Sequence, residues 1–236
     1  MRKTLGILQP GRIGDIIMSL PIAKYYYDRG YKVIWPIGAT FIKQFSYAAD
    51  YIHFIPVRHN DVTDTANWHV QADWILNQFD CDTKLDLLFN MTNTDEATRK
   101  WKESGLKFDE YRYNLANVPL DEKWNLSIKR NKQREDDLFD KIVTQEKYVV
   151  YQFTGAGFRR TVKIENNGNF QLIEITRLTE NSFDWLRIIE GASKLVLLDS
   201  SFANLVEQLN MPNDKYFLLR SPDIMTPTLK NKWIMI

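Results

Sequence analysis

The sequence contains one cysteine, Cys81, among 236 residues. A single thiol excludes an internal disulfide and a metal site built from several cysteines, and it suits a reducing compartment. No apolar run approaches the roughly 18 residues that a membrane-spanning helix needs. The first residues, Met1 to Thr4, lead directly into a short apolar strand, which argues against a signal peptide. These absences predict a cytoplasmic protein without an integral membrane segment.

The net charge is close to zero, and the sequence contains only three histidines. The 31 basic and 30 acidic residues leave a formal charge of +1, so no overall field attracts the chain to nucleic acid or to an acidic membrane, although a local basic patch remains open. The histidines lack the spacing of metal ligands, and we expect no metal centre: His53, His59 and His69. With 44% hydrophobic and 13% aromatic residues, the composition is that of a folded globular protein.

The stretch from Leu5 to Pro21 is the most specified part of the first half. An apolar run ends in a glycine-punctuated turn, and a helical pattern starts at Gly14 and Asp15. Gly11 and Gly14 allow a sharp turn and a close approach of a ligand to the main chain. Asp15 lies where a carboxylate caps a helix. Pro21, which has no N–H, predicts a kink in this helix.

Alternating strands and helices predict an α/β fold with parallel sheets. In the first half we expect strands at 31–35, 52–57 and 85–89 and helices at 41–49 and 68–79, with polar loops at 60–65 and 90–95. Residues 97–134 show no clean period, and 134–144 resembles a charged helix. The pattern restarts with strands at 148–153, 170–175 and 194–198, and helices at 183–190 and up to 210. We therefore predict two Rossmann-like domains, 1–146 and 147–236, facing each other across a cleft.

The second half contains a predicted anion site. Ser200 and Ser201 begin a helix after a buried strand, where free N–H groups and two hydroxyls suit a phosphate. The loop with Gly155 and Gly157 supplies Arg159 and Arg160, whose guanidinium groups pair with phosphate oxygens, and Lys163 follows them. Glu174 ends a strand and is placed to accept from ribose hydroxyls. The serines are also typical of helix caps and the arginines of solvated loops, and for the glutamate an ordinary strand-edge carboxylate is the favoured interpretation.

The run Gly14-Asp15-Ile-Ile-Met-Ser-Leu-Pro21 resembles the opening of the heptosyltransferases, a glycosyltransferase family nine type with the two-domain GT-B fold. In that family the aspartate of the Gly-Asp pair is the proposed catalytic base, a role that the resemblance gives to Asp15. It places the loop with Gly11, Arg12 and Gly14 near the acceptor. Position alone is equally compatible with a helix cap, and the resemblance favours catalysis.

Asp199-Ser-Ser-Phe-Ala-Asn204 is similar to the family segment that binds the pyrophosphate of the donor. Ser201 replaces a glycine there, and Asn204 replaces the usual histidine. The chain is also shorter than a typical member, which predicts a reduced second domain. The resemblance implies a metal-independent transfer, with inversion, of a sugar from a nucleotide-diphosphate sugar to a hydroxyl. The donor is a co-substrate and no cofactor is expected; the acceptor is a glycan, a lipid-linked saccharide or a modified nucleobase.

Three other functions stay open. The same chemistry could act on a modified DNA base. Gly155-Ala-Gly157 after a strand, with Glu174 ending the next, partly matches an NAD(P)-dependent oxidoreductase, but Arg160 occupies the third glycine position. A non-catalytic module that binds sugar nucleotides would explain Asn204. Asp80-Cys81-Asp82 matches the metal-binding Asp-x-Asp of a different glycosyltransferase fold, but it follows a helix, and we favour a chance match.

Overall fold

The computed structural model describes residues 2–58, 65–89, 96–155, 157–165, 170–220 and 225–236. The chain forms two compact units, each with its own parallel sheet. The first unit comprises Met1–Lys129 and Asp223–Thr228, and the second comprises Arg130–Pro222 and Leu229–Ile236. The sequence-based boundary at residue 146 stays a prediction.

The sheet of the first unit has the strand order β3-β2-β1-β4, and all its pairs are parallel. Its elements are β1 (Thr4–Leu8), α1 (Ile13–Asp28), β2 (Lys32–Gly38), α2 (Ile42–Ala48), β3 (Ile52–Val57), α3 (Thr65–Leu76), β4 (Thr83–Asp86), α4 (Glu96–Ser104) and α5 (Phe108–Leu115), with short 3-10 turns at Ala39–Phe41 and Leu120–Trp124.

Helix α3 shows why this unit folds as it does. Trp68, Ala72 and Leu76 recur at four-residue spacing, so they share one face, and all three are buried. Ala72 and Leu76 pack with residues of the sheet, including Leu8 and Ile34, in one apolar cluster. Burying one such leucine side chain stabilises the fold by about 1.5–3 kcal/mol.

The sheet of the second unit has the order β11-β10-β9-β5-β8 and is also parallel throughout. Its elements are α6 (Lys132–Ile142), β5 (Tyr148–Gln152), β8 (Gln171–Glu174), α7 (Leu186–Gly191), β9 (Lys194–Leu198), α8 (Ser201–Gln208), β10 (Asp214–Leu218) and β11 (Ile234–Met235), with a 3-10 turn at Ser182–Trp185. Between β5 and β8, strands β6 (Thr154–Gly155) and β7 (Phe158–Arg159) form a small antiparallel hairpin.

The predicted α/β fold with parallel sheets is confirmed, and the strands at 52–57 and 194–198 have the predicted bounds. Helices α4 and α5 and strands β10 and β11 were not predicted from the sequence pattern. Helix α1 begins at Ile13 and continues through Pro21 to Asp28, so the proline does not end it. The polar loop predicted at 90–95 and most of that at 60–65 lie outside the described residues.

Two buried carboxylates fix the C-terminal part of the chain. In the first unit, Asp109 and Lys123 form an ion pair with both side chains fully buried. Thr228 donates its N–H to Asp109 Oδ2 at 2.9 Å, and its carbonyl accepts from Lys123 Nζ at 2.6 Å. In the second unit, buried Glu207 accepts from the Lys230 N–H at 2.6 Å and from Trp233 Nε1 at 2.7 Å.

Each sheet contains a switch point, which is the place where the strand order reverses, so that successive strands are added at opposite edges of a central strand. In the first unit, β2 and β3 lie on one side of β1 and β4 on the other. In the second, β8 lies on one side of β5, and β9, β10 and β11 on the other. Ligands of open parallel sheets bind at the carboxyl ends of the strands beside a switch point. A ligand-binding site is therefore expected at the loops after β1, β4, β5 and β9.

Candidate functional site

Asp15 lies at the switch point of the first unit, in the first turn of α1 after β1. The residue that caps the helix is Arg12, and Asp15 is the third residue of the helix. Its Oδ2 accepts from the Arg12 backbone N–H at 3.3 Å. The prediction that Asp15 itself occupies the cap position is therefore wrong, although its carboxylate does reach back to the cap. About a quarter of the side chain, 23%, is exposed.

Arg112 of α5 binds this carboxylate. Its Nη2 donates to Asp15 Oδ1 at 2.9 Å, and its Nη1 donates to the Asp15 backbone carbonyl at 2.9 Å. The same Nη1 lies 3.2 Å from Ser19 Oγ, on the next turn of α1. The Arg112 side chain is fully buried. Arg112 was not predicted as a site residue, because residues 97–134 carry no clear pattern.

Gly11 is required for a different reason from the one that the sequence suggested. Its backbone is not in the left-handed region, unlike that of Gly157. Instead, a Cβ atom on Gly11 would lie 2.1 Å from the ring of buried Trp68. The glycine allows α3 to pack against the loop after β1. Gly14 lies within α1, and Arg12 is exposed.

A histidine and an aspartate meet at the carboxyl end of β4. His69 Nε2 lies 3.4 Å from Asp86 Oδ2, and both side chains are substantially exposed. This hydrogen bond is the main cause of a raised pKa for His69, with burial acting in the opposite direction. Asp86 is the last residue of β4, next to the switch point. Because Asp86 pairs with Leu8, the last residue of β1, the histidine and the aspartate lie beside the start of the loop that leads into α1.

We expect NMR titration to show that the pKa of His69 lies above the ordinary histidine value of about 6.5. Asp86→Asn should lower it, whereas Asp80→Asn, as a control, should not. Because the pKa is raised in the folded state, the pair stabilises the fold below the unfolded pKa, and this contribution is lost as the pH rises through the folded pKa. A His69 pKa that is the same in the wild type and in Asp86→Asn would contradict the assignment.

The switch point of the second unit brings Ser200 and Gln152 together. Ser200 follows β9 and Gln152 ends β5, and Ser200 Oγ donates to Gln152 Oε1 at 2.6 Å. Ser200 also caps α8, where its Oγ accepts from the Ala203 N–H. A Cβ on Gly155 would touch Ser200 at 3.4 Å, so the glycine loop lies directly against this helix start. Gln152 was not predicted, because a glutamine at a strand end carries no motif.

Other predicted residues have more local roles. Asn204 Nδ2 donates to the Ser200 carbonyl at 3.0 Å, so this residue takes part in the first turn of α8. Arg160 Nη1 donates to the Leu219 carbonyl at 2.6 Å, just after β10. Ser201 is the first residue of α8 and is partly buried. Gly157 has a φ of +82°, which only glycine adopts readily, and so allows the turn between β6 and β7.

A cavity of about 470 Å³ opens beside the hairpin of the second unit. Of the residues predicted to bind the donor, Arg159 and Glu174 line this cavity, whereas Arg160 and Ser200 do not belong to its lining. The walls combine aromatic, aliphatic and polar side chains: Tyr151, Phe153, Thr154, Thr161, Val162, Ile164 and Leu172. The rings of Tyr151 and Phe153 are in contact, with centroids 4.8 Å apart. Size and lining are those of a small-molecule site with a few polar groups.

Two of the less favoured motifs find little support in the described residues. No group of three or more His, Cys, Asp or Glu there could hold a metal ion. Asp82, of the Asp-x-Asp motif, accepts from the Thr4 N–H at 2.7 Å. The chain after Gly157 forms a short strand and then irregular backbone as far as Glu165, whereas a dinucleotide fingerprint opens a helix. No helix in the described residues is long and apolar enough to cross a membrane.

The fold is similar to that of solved glycosyltransferases. A family 9 glycosyltransferase from Veillonella parvula matches with a TM-score of 0.62 and 8% identity, over 99% of this chain and 85% of that one. ADP-heptose LPS heptosyltransferase II of E. coli matches with a TM-score of 0.58 and 13% identity, over 99% and 90%. E. coli heptosyltransferase WaaC, solved with ADP-2-deoxy-2-fluoro heptose, has a TM-score of 0.50 and 13% identity, over 99% and 92%.

No protein-family model matches the sequence, and no curated protein is similar to it in sequence. The structural likeness extends over nearly the whole chain and confirms a GT-B fold of the heptosyltransferase type, as the sequence resemblance predicted. At 8–13% identity it shows the fold alone, and a shared fold does not by itself establish a shared function.

Proposed function

We propose that this protein is a metal-independent glycosyltransferase that moves a sugar from a nucleotide-diphosphate sugar to a hydroxyl acceptor with inversion. The observation that carries the proposal is the position of Asp15. A partly exposed carboxylate, held by Arg112, lies at the switch point of a parallel sheet in a fold that known heptosyltransferases share. This is a suitable place for a general base that acts on a bound ligand.

In the proposed reaction the acceptor oxygen attacks the anomeric carbon of the donor. The bond from that carbon to the diphosphate oxygen breaks, and the electron pair leaves with the nucleoside diphosphate. Asp15 takes the proton of the acceptor hydroxyl as the new bond forms, through an oxocarbenium-like transition state. Attack opposite the leaving group inverts the configuration. The acceptor lies near Gly11, Arg12 and Gly14 and is a glycan, a lipid-linked saccharide or a modified nucleobase.

The donor site is proposed in the second unit. The N–H groups at the start of α8, with Ser200 and Ser201, and the loop with Gly155 and Gly157 bind the diphosphate. Arg159 and Arg160 neutralise its charge. Glu174 accepts from the ribose hydroxyls in the 470 Å³ cavity, whose aromatic wall at Tyr151 and Phe153 suits a nucleobase. The structural relatives solved with ADP or an ADP-heptose motivate the choice of donors to test.

A thermal shift panel tests the class of ligand. ADP-heptose, ADP-glucose, UDP-glucose, GDP-mannose and NADPH would be compared at equal concentration. A donor at a hundred times its dissociation constant should raise the free energy of unfolding by about 2.7 kcal/mol. Stabilisation by at least one sugar nucleotide is expected. If NADPH alone stabilises the protein, or if no nucleotide does, the glycosyltransferase proposal fails.

Removing Arg159 should weaken donor binding more than removing Arg160. A charge-assisted contact to the diphosphate is worth about 1–3 kcal/mol, and Arg159 lines the cavity. Arg160 already donates to the Leu219 carbonyl, so fewer of its N–H groups are available. Isothermal titration with the best donor of the panel would compare Arg159→Ala, Arg160→Ala and Arg177→Ala, an exposed arginine outside the cavity lining. Equal donor affinity in all three variants would move the diphosphate site elsewhere.

A further inference from the structure

Arg112 is a fully buried cation whose contacts centre on a single residue. One nitrogen of its guanidinium group binds the side-chain carboxylate of Asp15, and the other binds the backbone carbonyl of the same residue. A planar guanidinium presents its N–H groups in a fixed fork. Two contacts to one residue from such a fork define both the place and the orientation of the carboxylate.

The guanidinium group also ties together the segments that form the loop. Nη1 reaches Ser19 Oγ on the second turn of α1. Gln9 follows β1, and its amide, in the orientation that satisfies both of its groups, accepts from Arg112 Nη2 at 3.2 Å. Asp15, Ser19 and Gln9 are therefore held by one side chain that comes from α5.

The ring of Phe108 lies under the guanidinium group, with its centroid 4.5 Å from Arg112 Cζ, and that of Phe89 lies at 5.7 Å. Arginine binds an aromatic face in this way through a cation–π interaction. Both rings are buried in one cluster with Trp101 and Met18. The aromatic packing restrains the rotamer of Arg112, and the hydrogen bonds of Arg112 in turn restrain Asp15.

Two observations argue that Arg112 does not itself contact a substrate. Its side chain is completely buried, whereas that of Asp15 is 23% exposed. The contacts to Asp15, Ser19 and Gln9 use both of its terminal nitrogens. A substrate phosphate would have to displace these contacts and reach into the aromatic cluster.

We propose that Arg112 is the positioning residue of the reaction: it holds the Asp15 carboxylate in the orientation needed to take the proton of the acceptor. The proposal rests on the role of Asp15 in the proposed function and adds to it the residue on which that role depends. A reacting group misplaced by about 1 Å can lose a hundredfold in rate, so a rigid support has a large effect on turnover.

The test measures release of nucleoside diphosphate from the donor found in the thermal shift panel, with water as the acceptor. The variants are Arg112→Met, Arg112→Lys and Asp15→Asn. The control is Leu76→Ala, which creates a cavity in the apolar cluster of the same unit without changing a polar contact. All rates are taken at a temperature well below the lowest melting temperature in the set.

Arg112→Met should lower kcat about 10- to 100-fold and leave the KM for the donor within about twofold, because orientation of the base acts on the chemical step. The kcat of Arg112→Lys should lie between those of Arg112→Met and the wild type, since an ammonium group keeps the positive charge but not the planar arrangement of N–H donors. Leu76→Ala should keep the kcat of the wild type. A wild-type kcat in Arg112→Lys, or a rise in KM alone in either variant, would overturn the proposal even if Arg112→Met does not fold.

The Asp15→Asn variant distinguishes a failure of the positioning role of Arg112 from a failure of the proposed role of Asp15 as base. If it loses turnover while both Arg112 variants keep it, the base is correct and the positioning role is wrong. If it turns over like the wild type, the assignment of the base fails and the positioning role fails with it.

Discussion

Asp15→Asn is expected to lower the rate of sugar transfer by at least about a hundredfold, because a general base supplies 10²–10⁴-fold to a reaction of this kind. The amide is nearly isosteric with the carboxylate and still offers an oxygen to Arg112, but it cannot accept the proton of the acceptor. Release of nucleoside diphosphate would be measured together with the dissociation constant of the donor, which should stay within about twofold because the proposed donor site lies in the second unit.

Asp28→Asn is a suitable control for this experiment. Asp28 ends the same helix and forms an exposed ion pair with Lys24, so the substitution makes the same chemical change outside the switch point. It should turn over like the wild type. Unchanged turnover in Asp15→Asn would exclude Asp15 as the base, whereas loss of donor binding in that variant would show that it acts on binding and not on the chemical step.

Asp109→Ala is expected to lower the free energy of unfolding by about 3–5 kcal/mol, the usual cost of removing one partner of a buried ion pair. The variant leaves the Lys123 ammonium in a fully buried position without its counter-ion. It also removes the acceptor of the Thr228 N–H and one of the two acceptors of the Thr228 hydroxyl. Chemical denaturation, followed by the signal of the buried tryptophans, would measure the change.

Two comparisons test the cause of this effect. Glu103→Ala removes an exposed ion pair with Arg99 and should change stability very little. The double variant Asp109→Leu/Lys123→Met replaces both charges by apolar side chains and should recover much of the lost stability, since no unpaired charge remains. If Asp109→Ala proves no more harmful than Glu103→Ala, the buried pair does not stabilise the fold.

The sequence predicted those parts of the site that depend on local chemistry. Asp15 lies in the first turn of the helix that follows β1, and Ser200 caps the helix that follows β9. Turn residues with an apolar period specify such an arrangement within a few positions. Such a pattern places a side chain at the carboxyl end of a strand. The local pattern was therefore enough to predict the strand-to-helix connections after β1 and β9, which lie at the switch points of the two sheets.

The partners of these residues depend on contacts that are distant in sequence. Arg112 reaches Asp15 across 97 positions, and Gln152 meets Ser200 across 48. No local period records such a pairing, and α5 is short and carries mixed charges, so it gives a weak signal of its own. The same holds for Gly11, whose close packing against Trp68 is a tertiary contact. The candidate residues could therefore be predicted from local pattern, whereas the residues that support them could be identified only from the tertiary contacts.

The hydrogen bonds that the Glu207 carboxylate accepts from residues 230–233 also affect the edge of the second sheet. Strand β11 has two residues, and it pairs with β10 at the border of the second sheet. An open border of a parallel sheet is a template for pairing with another molecule, and proteins commonly blunt it with a very short strand. Because a two-residue strand makes few hydrogen bonds of its own, we expect the buried Glu207 carboxylate to help keep β11 against β10 and so to limit pairing at this edge.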